Sequence, residues 1–333
     1  MTVAYVLEQG SSIKLEGERL IVQKGKSVLH ALHLFKLDQL VVFGNVSITP
    51  PAIKRLLSDK IDTVFMSRNG HYQGRLQPPW SKNITLRCEQ FEKLRNEEFC
   101  LKAATEIVRG KVGNMRAILL RLNRNREDLE LDDHVLQLKL LMKKIAGAES
   151  IDSVRGFEGR ASALYFDGFS RGFIAEGVHF EKRMRRPPKD PVNALLSLGY
   201  MLLFNVVMSA VSLVGFDPYL GSLHALDYGR PSLVLDLMEE WRSVIVDSLV
   251  LGVFNLKSLT LDDFTRGQDL PVKLTDTGFR KFIIQFERKL NQKITHHLTG
   301  QQLSYRDCIR EQVRHFARVI RGEEDRYQPM ILR

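Results

Sequence analysis

The segment 221–247, GSLHALDYGRPSLVLDLMEEWRSVIVD, determines how the rest of the chain is interpreted. A polar loop carrying His224 leads through a turn into an apolar stretch with helical spacing, where Ser232 is predicted to be the N-cap. Asp236 and Glu239 interrupt this stretch, and their spacing places them on one helix face about 5–6 Å apart. Two like charges at that distance repel each other and lose hydration on burial. Either the pair is solvated, or a divalent cation lies beside it.

A second carboxylate far upstream favours the cation. Glu158 stands between Gly156 and Gly159 in the helical segment 150–169, SIDSVRGFEGRASALYFDGF. A glycine inside a helix costs up to about 1 kcal/mol relative to alanine, so its presence needs a reason. Close packing of a neighbouring helix is one reason, and close approach of a sugar–phosphate backbone is another.

These side chains together predict a mixed nitrogen and oxygen metal site. Its candidate ligands are Glu158, His224 and Glu239, with Asp236 beside them as a ligand of a second metal or a residue that orients the others. Carboxylate oxygens favour Mg²⁺ or Mn²⁺, and the imidazole shifts the preference toward Mn²⁺. The lack of cysteine ligands argues against zinc.

The charge balance indicates a polyanionic partner. The chain has 333 residues with 49 Lys and Arg against 39 Asp and Glu, a formal net charge of +10. Nucleic acid is the first candidate and an anionic membrane the second. Three widely spaced cysteines and an N-terminus without signal-peptide features predict a cytoplasmic protein. The sequence contains no G-x-x-x-x-G-K-[ST] loop, so no nucleotide cofactor is expected.

Residues 191–216 form a run of 26 residues without Asp, Glu, Lys or Arg, which is long enough to cross a bilayer. Scattered Asn and Ser residues and the lack of a second such run favour a different interpretation, the buried central helix of a bundle. We therefore expect no membrane association.

The pattern along the chain predicts an α+β fold. A small β domain is expected at 1–78, a linker at 79–90 and a larger all-α catalytic domain at 91–333, because the hydrophobic period changes from two to 3.6 near residue 83. The short strands of the first domain leave sheet edges that a second copy of the chain can cover, so this domain is predicted to mediate a homodimer.

Basic residues cluster near the predicted ligands and are candidates for gripping a DNA backbone. A solvated charge run is the alternative. The candidate DNA-binding residues are Arg155, Arg160, Lys182, Arg183, Arg185, Arg186, Lys189 and Arg242.

Four stretches carry a family resemblance: GFEGRASALYF, RRPPKDPVNALLSLGYMLL, GFDPYLGSLHALDYGRPSLVLDLMEEWR and LTDTGFRKFIIQFE. In order and spacing the chain resembles the CRISPR-associated adaptation endonuclease/integrase family, the first CRISPR-associated protein (Cas one). The resemblance implies an N-terminal β domain that dimerises and a helical catalytic domain. It places the metal ligands at Glu158, His224 and Glu239, with Asp236 as a further acidic position near the metal.

The resemblance also implies a function. Family members pair with the second CRISPR-associated protein (Cas two) and insert foreign DNA fragments, the spacers, into the CRISPR array. We therefore expect metal-dependent endonuclease and integrase chemistry, in which a 3′-hydroxyl attacks a phosphodiester. Two alternatives stay open: a non-catalytic DNA-binding scaffold that relies on a partner for chemistry, and a related integrase of a mobile element with the same site.

Overall fold

The computed structural model describes residues 2–77, 83–184, 187–224, 227–265 and 271–332. The chain divides into two compact units, Met1–Ser81 and Lys82–Arg333. Part of the linker predicted at 79–90 lies outside the described residues. From residue 84 onward that segment is a helix, Ile84–Lys93, in which Leu86 and Gln90 are buried.

The first unit contains two four-stranded sheets and one helix. One sheet has the order β1-β5-β7-β8 and the other the order β4-β3-β2-β6. The elements are β1 Val3–Val6, β2 Ser11–Glu16, β3 Arg19–Lys24, β4 Ser27–His33, β5 Gln39–Phe43, β6 Val46–Ile48, α1 Pro50–Ser58, β7 Asp62–Met66 and β8 Tyr72–Leu76. Their core centres on Ile13, Leu20, Leu40 and Leu56, which are all fully buried.

The β2–β3 hairpin shows why this sequence forms a sheet. Gly17 adopts a φ of +57°, which a glycine reaches without strain in the tight connection between the strands. Alternate residues of β2 point to the core, with Ile13 buried and its neighbour Lys14 exposed. At the other side, β4 pairs only with β3 in its sheet, so it forms an edge.

The second unit is built from helices. They are α2 Ile84–Lys93, α3 Glu97–Asn125, α4 Asp132–Ala146, α5 Ile151–Ser170, α6 Pro191–Val214, α7 Ser232–Trp241, α8 Ser248–Asn255, α9 Asp276–Asn291 and α10 Tyr305–Ile320. Two small antiparallel ribbons, β9 Phe264–Thr265 with β10 Lys273–Leu274 and β11 Lys293–Thr295 with β12 Gln302–Ser304, accompany them. The α+β fold class is confirmed, and the ribbons are the one departure from an all-α second unit.

Helix α6 is the apolar core of the second unit. The Asp190 side chain accepts a hydrogen bond from the Asn193 N–H and caps the helix start, while Gly215, at a φ of +101°, ends it. By length and composition α6 resembles a membrane span, yet 67% of its most apolar window is buried inside the protein. It packs against α7 and α10, which agrees with the buried-helix interpretation.

Two glycines of α3 allow the C-terminal segment to lie against that helix. A Cβ at Gly110 would come within 2.4 Å of the Pro329 side chain, and one at Gly113 within 3.1 Å of Ile331. Asn114 fastens the segment, because its amide donates to the Met330 carbonyl at 2.7 Å and its oxygen accepts the Leu332 N–H at 2.8 Å. The segment therefore braces the helix that supplies Lys111 to the candidate site.

Candidate metal centre

Asp236 anchors the loop that carries His224. Its carboxylate is fully buried and accepts backbone N–H groups from Ser222 at 2.6 Å, Leu223 at 2.9 Å and His224 at 3.0 Å. Gly221 makes this close approach feasible, since a Cβ there would lie 2.6 Å from an Asp236 oxygen. Both oxygens of Asp236 are therefore engaged by the loop. The repulsion expected between Asp236 and Glu239 is relieved for Asp236 by these N–H donors.

The start of α7 differs from the prediction. Pro231 occupies the N-cap position and Ser232 is the first helical residue, fully buried, so the prediction of Ser232 as the N-cap was wrong. Pro231 also cannot donate an N–H, which suits a helix start. Between α7 and α8 the backbone forms a π-helical segment at Arg242–Asp247.

The His224 ring is oriented by the same carboxylate. Nδ1 of His224 lies 2.7 Å from Asp236 Oδ1, and because an ionised carboxylate only accepts hydrogen bonds, Nδ1 carries the proton. Nε2 then presents a lone pair, and it lies 4.0 Å from Oε1 of Glu239. On the other side of the loop, Arg155 donates from Nε and Nη2 to the Leu223 carbonyl at 2.8 and 2.6 Å. A ring held in this way is ready to bind a metal through Nε2.

Glu239 is a buried, ionised carboxylate between two cations. Arg242 Nε donates to its Oε1 at 2.9 Å, and Lys111 Nζ lies 2.6 Å from its Oε2. Burial alone would raise the pKa of Glu239, but the charges of Arg242 and Lys111 outweigh burial and lower this pKa to about 2. The carboxylate is therefore charged throughout the physiological range.

Glu158 projects from α5 toward the same point. Its Oε1 contacts Lys111 Nζ and accepts a hydrogen bond from Ser162 Oγ at 2.9 Å. A single ammonium group thus touches both Glu158 and Glu239, which are far apart in the sequence. The structure brings Glu158 and Glu239 together on Lys111, and it places His224 Nε2 4.0 Å from Oε1 of Glu239.

The donor set fits a hard divalent cation, but its members do not lie close enough together to bind one. Within the described residues, no three His, Cys, Asp or Glu side chains are already close enough to hold an ion. The Lys111 ammonium lies between the two carboxylates. Oε2 of Glu239 is buried, and its ion pair with Lys111 is not directed as a hydrogen bond, so it keeps acceptor capacity. Two carboxylates and one neutral imidazole suit Mg²⁺ or Mn²⁺.

The predicted DNA-binding residues fall into three groups. Arg155, Arg183 and Arg242 are engaged inside the protein: Arg183 donates to Asn193 at 2.8 Å and Ser197 at 3.0 Å, and the other two hold the site as described above. The exposed members are Arg160, Lys182 and Lys189. Arg185 and Arg186 lie outside the described residues.

Several residues of this region were not predicted from the sequence. Lys111 is the main one. Its only sequence signal was a charge among small and apolar residues of α3, and in the structure the residue is 7% exposed. Tyr200 and Asp247 were also missed. Tyr200 donates to Asp247 Oδ1 at 2.5 Å, and the Arg242 guanidinium lies 4.9 Å from the Tyr200 ring centroid. This chain of contacts fixes the arginine that pairs with Glu239.

Asp247 gives the stability of the protein a testable pH dependence. Burial raises its pKa to about 6, against the opposing effects of the Tyr200 hydrogen bond and of Arg183 and Arg242. In the unfolded chain Asp titrates near its ordinary value, so between pH 4 and 6 the folded state holds a proton that the unfolded state has lost. The contribution of Asp247 to the free energy of unfolding is therefore complete below about pH 4. It is lost as pH rises through 6, by up to about 3 kcal/mol.

The Asp247→Asn variant isolates this contribution. We expect the unfolding free energy of the wild type to fall relative to the variant between pH 4 and 7, as measured by urea unfolding at each pH. Other groups that titrate in this range, such as His315, affect both proteins and cancel in the difference. Parallel curves for the two proteins would contradict this prediction.

The chain is similar to known proteins over nearly its whole length. The family model described as CRISPR associated protein Cas1 matches residues 4–288. A CRISPR-associated endonuclease Cas1 from Thermus thermophilus is 38% identical, covering 99% of this chain and 97% of the relative. A CRISPR-associated endonuclease Cas1 from Moorella thermoacetica is 31% identical, covering 100% of this chain and 99% of the relative.

Solved structures give the same result. A CAS1 protein from Thermotoga maritima has a TM-score of 0.82 and 25% identity, with coverage of 99% of this chain and all of that one. The Cas1-containing chain of a Cas6-RT-Cas1–Cas2 complex has a TM-score of 0.84 and 27% identity, and this chain covers 36% of it. A casposase bound to integration product shares the fold, with a TM-score of 0.87 at 23% identity. The chain belongs to the CRISPR-associated Cas1 family.

Proposed function

We propose that this Cas1 protein is a metal-dependent DNA endonuclease and integrase of CRISPR adaptation, which inserts spacers into the CRISPR array. The observation that carries the proposal is that Lys111 Nζ joins Glu158 and Glu239, while His224 Nε2 lies 4.0 Å from the other oxygen of Glu239. In integration the 3′-hydroxyl of the incoming fragment attacks a phosphorus of the target. One phosphodiester forms as another breaks, so no energy from a nucleotide is needed. In endonuclease activity water takes the place of the 3′-hydroxyl.

Each site residue has a distinct proposed role. Glu158, Glu239 and His224 Nε2 would hold Mg²⁺ or Mn²⁺, which when bound supplies stabilisation of the charge that develops on the phosphate oxygens. Asp236 keeps the imidazole in the tautomer with a free Nε2. Because its oxygens are engaged by the 222–224 loop, we assign Asp236 to positioning rather than to a second metal. Arg242 keeps Glu239 ionised and oriented.

The glycine-flanked face of α5 is proposed to receive the DNA backbone. Gly156 and Gly159 are exposed, and outside the backbone of their own helix a Cβ at either position would meet no atom within 4 Å. Packing against another helix in the described part of the chain therefore does not explain these glycines. The exposed Arg160, together with Lys182 and Lys189, would contact phosphates largely without sequence preference.

Replacing both glycines by alanine separates stability from DNA binding. The Gly156→Ala/Gly159→Ala variant should be more stable by about 1–2 kcal/mol, because alanine favours the helix and has room there. It should also bind DNA at least about tenfold more weakly, because the two added methyl groups would keep the DNA phosphates from approaching the backbone of α5. Urea unfolding and a DNA-binding titration measure the two effects.

Gly252→Ala provides the matched control. Gly252 lies in α8, and a Cβ there also meets no neighbour within 4 Å, so this change should stabilise the protein without altering DNA affinity. Unchanged DNA affinity in the double variant would show that the α5 face does not receive DNA.

The proposed assembly uses the N-terminal unit and a second protein. Edge strand β4 is exposed along nearly its whole length, with Val28 63% and Leu29 41% exposed, and Phe35 just beyond it is 75% exposed. An apolar edge of this kind suits pairing with a second copy of the chain. Sedimentation of the full chain at monomer mass would reject the homodimer.

By analogy with the Cas6-RT-Cas1–Cas2 complex, Cas2 is the proposed partner. The proposed location is the cytoplasm, without membrane association.

An integration assay tests the proposed function. The purified chain, with Mn²⁺ and a 3′-hydroxyl DNA fragment, is incubated with repeat-containing DNA in the presence and absence of Cas2. We expect covalent joining of the fragment to the target, and more of it with Cas2. DNA binding without joining under all metal conditions would instead support a non-catalytic scaffold. Joining that is indifferent to the repeat and to Cas2 would favour a mobile-element integrase.

A further inference from the structure

Lys111 contacts both carboxylates of the proposed metal site. Its side chain is only 9% exposed, and its Nζ contacts Glu158 Oε1 and lies 2.6 Å from Glu239 Oε2. The helix that carries it is braced by the C-terminal segment on Gly110 and Gly113. The ammonium is therefore held in place from its own helix as well as by its two anionic partners.

The need for a cation at this point is electrostatic. Two carboxylates that approach each other in a largely buried site repel and lose hydration, and one positive charge between them relieves both penalties. Arg242 does not fill this role, because its contact is with Oε1 of Glu239. Among the described residues, Lys111 is the only cation recorded in contact with both carboxylates.

A divalent cation held by Glu158 and Glu239 would use the same two carboxylates that the ammonium now joins. Mg²⁺ binds carboxylate oxygen at about 2.0–2.1 Å, so an ion held by both carboxylates would lie close to the ammonium that joins them. Because both ions are positive, they also repel each other. Occupation of the site by the metal therefore requires the ammonium to move away.

We propose that Lys111 is a positioning residue, a resident counter-ion that holds Glu158 and Glu239 together without metal and is displaced when a divalent cation binds. The inference rests on the proposed metal site and deepens it, since it explains how two acidic ligands stay poised in a closed site. The free energy of metal binding is then the difference between the metal-bound state and the Lys111-bound state of the two carboxylates. It is not the free energy of metal binding to two unpaired carboxylates.

The first experiment measures Mn²⁺ affinity in the full-length chain after metal removal with chelator. Methionine is unbranched, uncharged and one heavy atom shorter than lysine, so Lys111→Met removes the competing charge and keeps most of the side-chain shape. We expect isothermal titration calorimetry to show Mn²⁺ binding at least about tenfold tighter, equivalent to about 1.4 kcal/mol, in Lys111→Met. The metal-free variant should also melt at a lower temperature than the wild type and gain more from Mn²⁺.

The control is Lys102→Met on the same helix. Lys102 is 72% exposed and pairs only at the surface with Glu98, so its replacement should leave Mn²⁺ affinity unchanged. Equal or weaker Mn²⁺ binding by a folded Lys111→Met variant would overturn the inference while leaving the metal site intact. If the wild type binds no Mn²⁺ at all, the proposed metal site itself fails, and with it the inference.

A second measurement on the wild type avoids any folding defect of the variant. Lysine acylation followed by mass spectrometry reports the accessibility of each amine with and without saturating Mg²⁺. Lys111 should be protected in the metal-free protein and become several-fold more reactive with Mg²⁺, while Lys102 stays constant. Equal protection of Lys111 in both states would show that the ammonium is not displaced.

Discussion

Replacing His224 by alanine should reduce strand transfer of a 3′-hydroxyl fragment by about three orders of magnitude or more. The imidazole is the one nitrogen ligand of the proposed centre, and its Nε2 is aimed toward Glu239 by the Asp236 contact. Its loss leaves a cation with two carboxylates, which bind it more weakly and position it less well. A loss of about 4 kcal/mol of transition-state stabilisation corresponds to a thousandfold loss in rate.

The measurement is a single-turnover integration assay with the variant and the wild type at saturating Mn²⁺. The ring of His224 is partly exposed, and its backbone N–H bond to Asp236 survives the substitution, so the variant should fold and keep its oligomeric state. His71→Ala is a suitable control because His71 lies on the surface of the N-terminal unit. Strand transfer at the wild-type rate in His224→Ala would remove His224 from the metal centre.

The Asp236→Asn substitution should damage both stability and activity. Five donors among the described residues, three backbone N–H groups, the Ser222 hydroxyl and Nδ1 of His224, converge on this fully buried carboxylate. Asparagine offers one acceptor oxygen, and its amide N–H₂ would face donors without an acceptor. We expect the unfolding free energy to fall by about 2–4 kcal/mol. Strand transfer should fall by about 10–100-fold, the usual cost of losing a residue that orients a metal ligand.

Urea unfolding and the integration assay measure these two effects, with Asp133→Asn, on the exposed start of α4, as control. The activity of Asp236→Asn is compared with the wild type under conditions where both proteins are fully folded. A variant that keeps wild-type stability would show that Asp236 does not anchor the loop. A variant that is destabilised but fully active would show that the anchoring has no role in orienting His224.

Elements with local signals were predictable from the sequence. The helix expected within the uncharged run 191–216 is one example: the structure has it at Pro191–Val214, with an Asp-Pro start and a glycine after its end. The π-helical segment Arg242–Asp247 has no such signal, because apolar periodicity does not distinguish a helix with one widened turn from a regular one. Ser232 was misplaced because Pro231 immediately before it takes the cap position.

The residues of the candidate site also divide into those that the sequence could predict and those that it could not. Glu158 and Glu239 were recognisable because each places a charge where the surrounding pattern calls for a buried or small residue. Lys111 and Arg155 were not, because their roles depend on tertiary contacts: Lys111 meets Glu158 across 47 positions and Arg155 meets Leu223 across 68. The sequence carries no local mark of such pairings. Arg155 was therefore interpreted as a DNA contact, whereas the structure shows its guanidinium on the His224 loop.

Crystals of the full chain grown with Mn²⁺ test the central claim most directly, through anomalous difference density at the manganese absorption edge. We expect one peak about 2.0–2.3 Å from a Glu158 oxygen, a Glu239 oxygen and His224 Nε2, with the Lys111 ammonium moved away from it. A peak bound elsewhere, or bound by Asp236 without His224, would contradict the account.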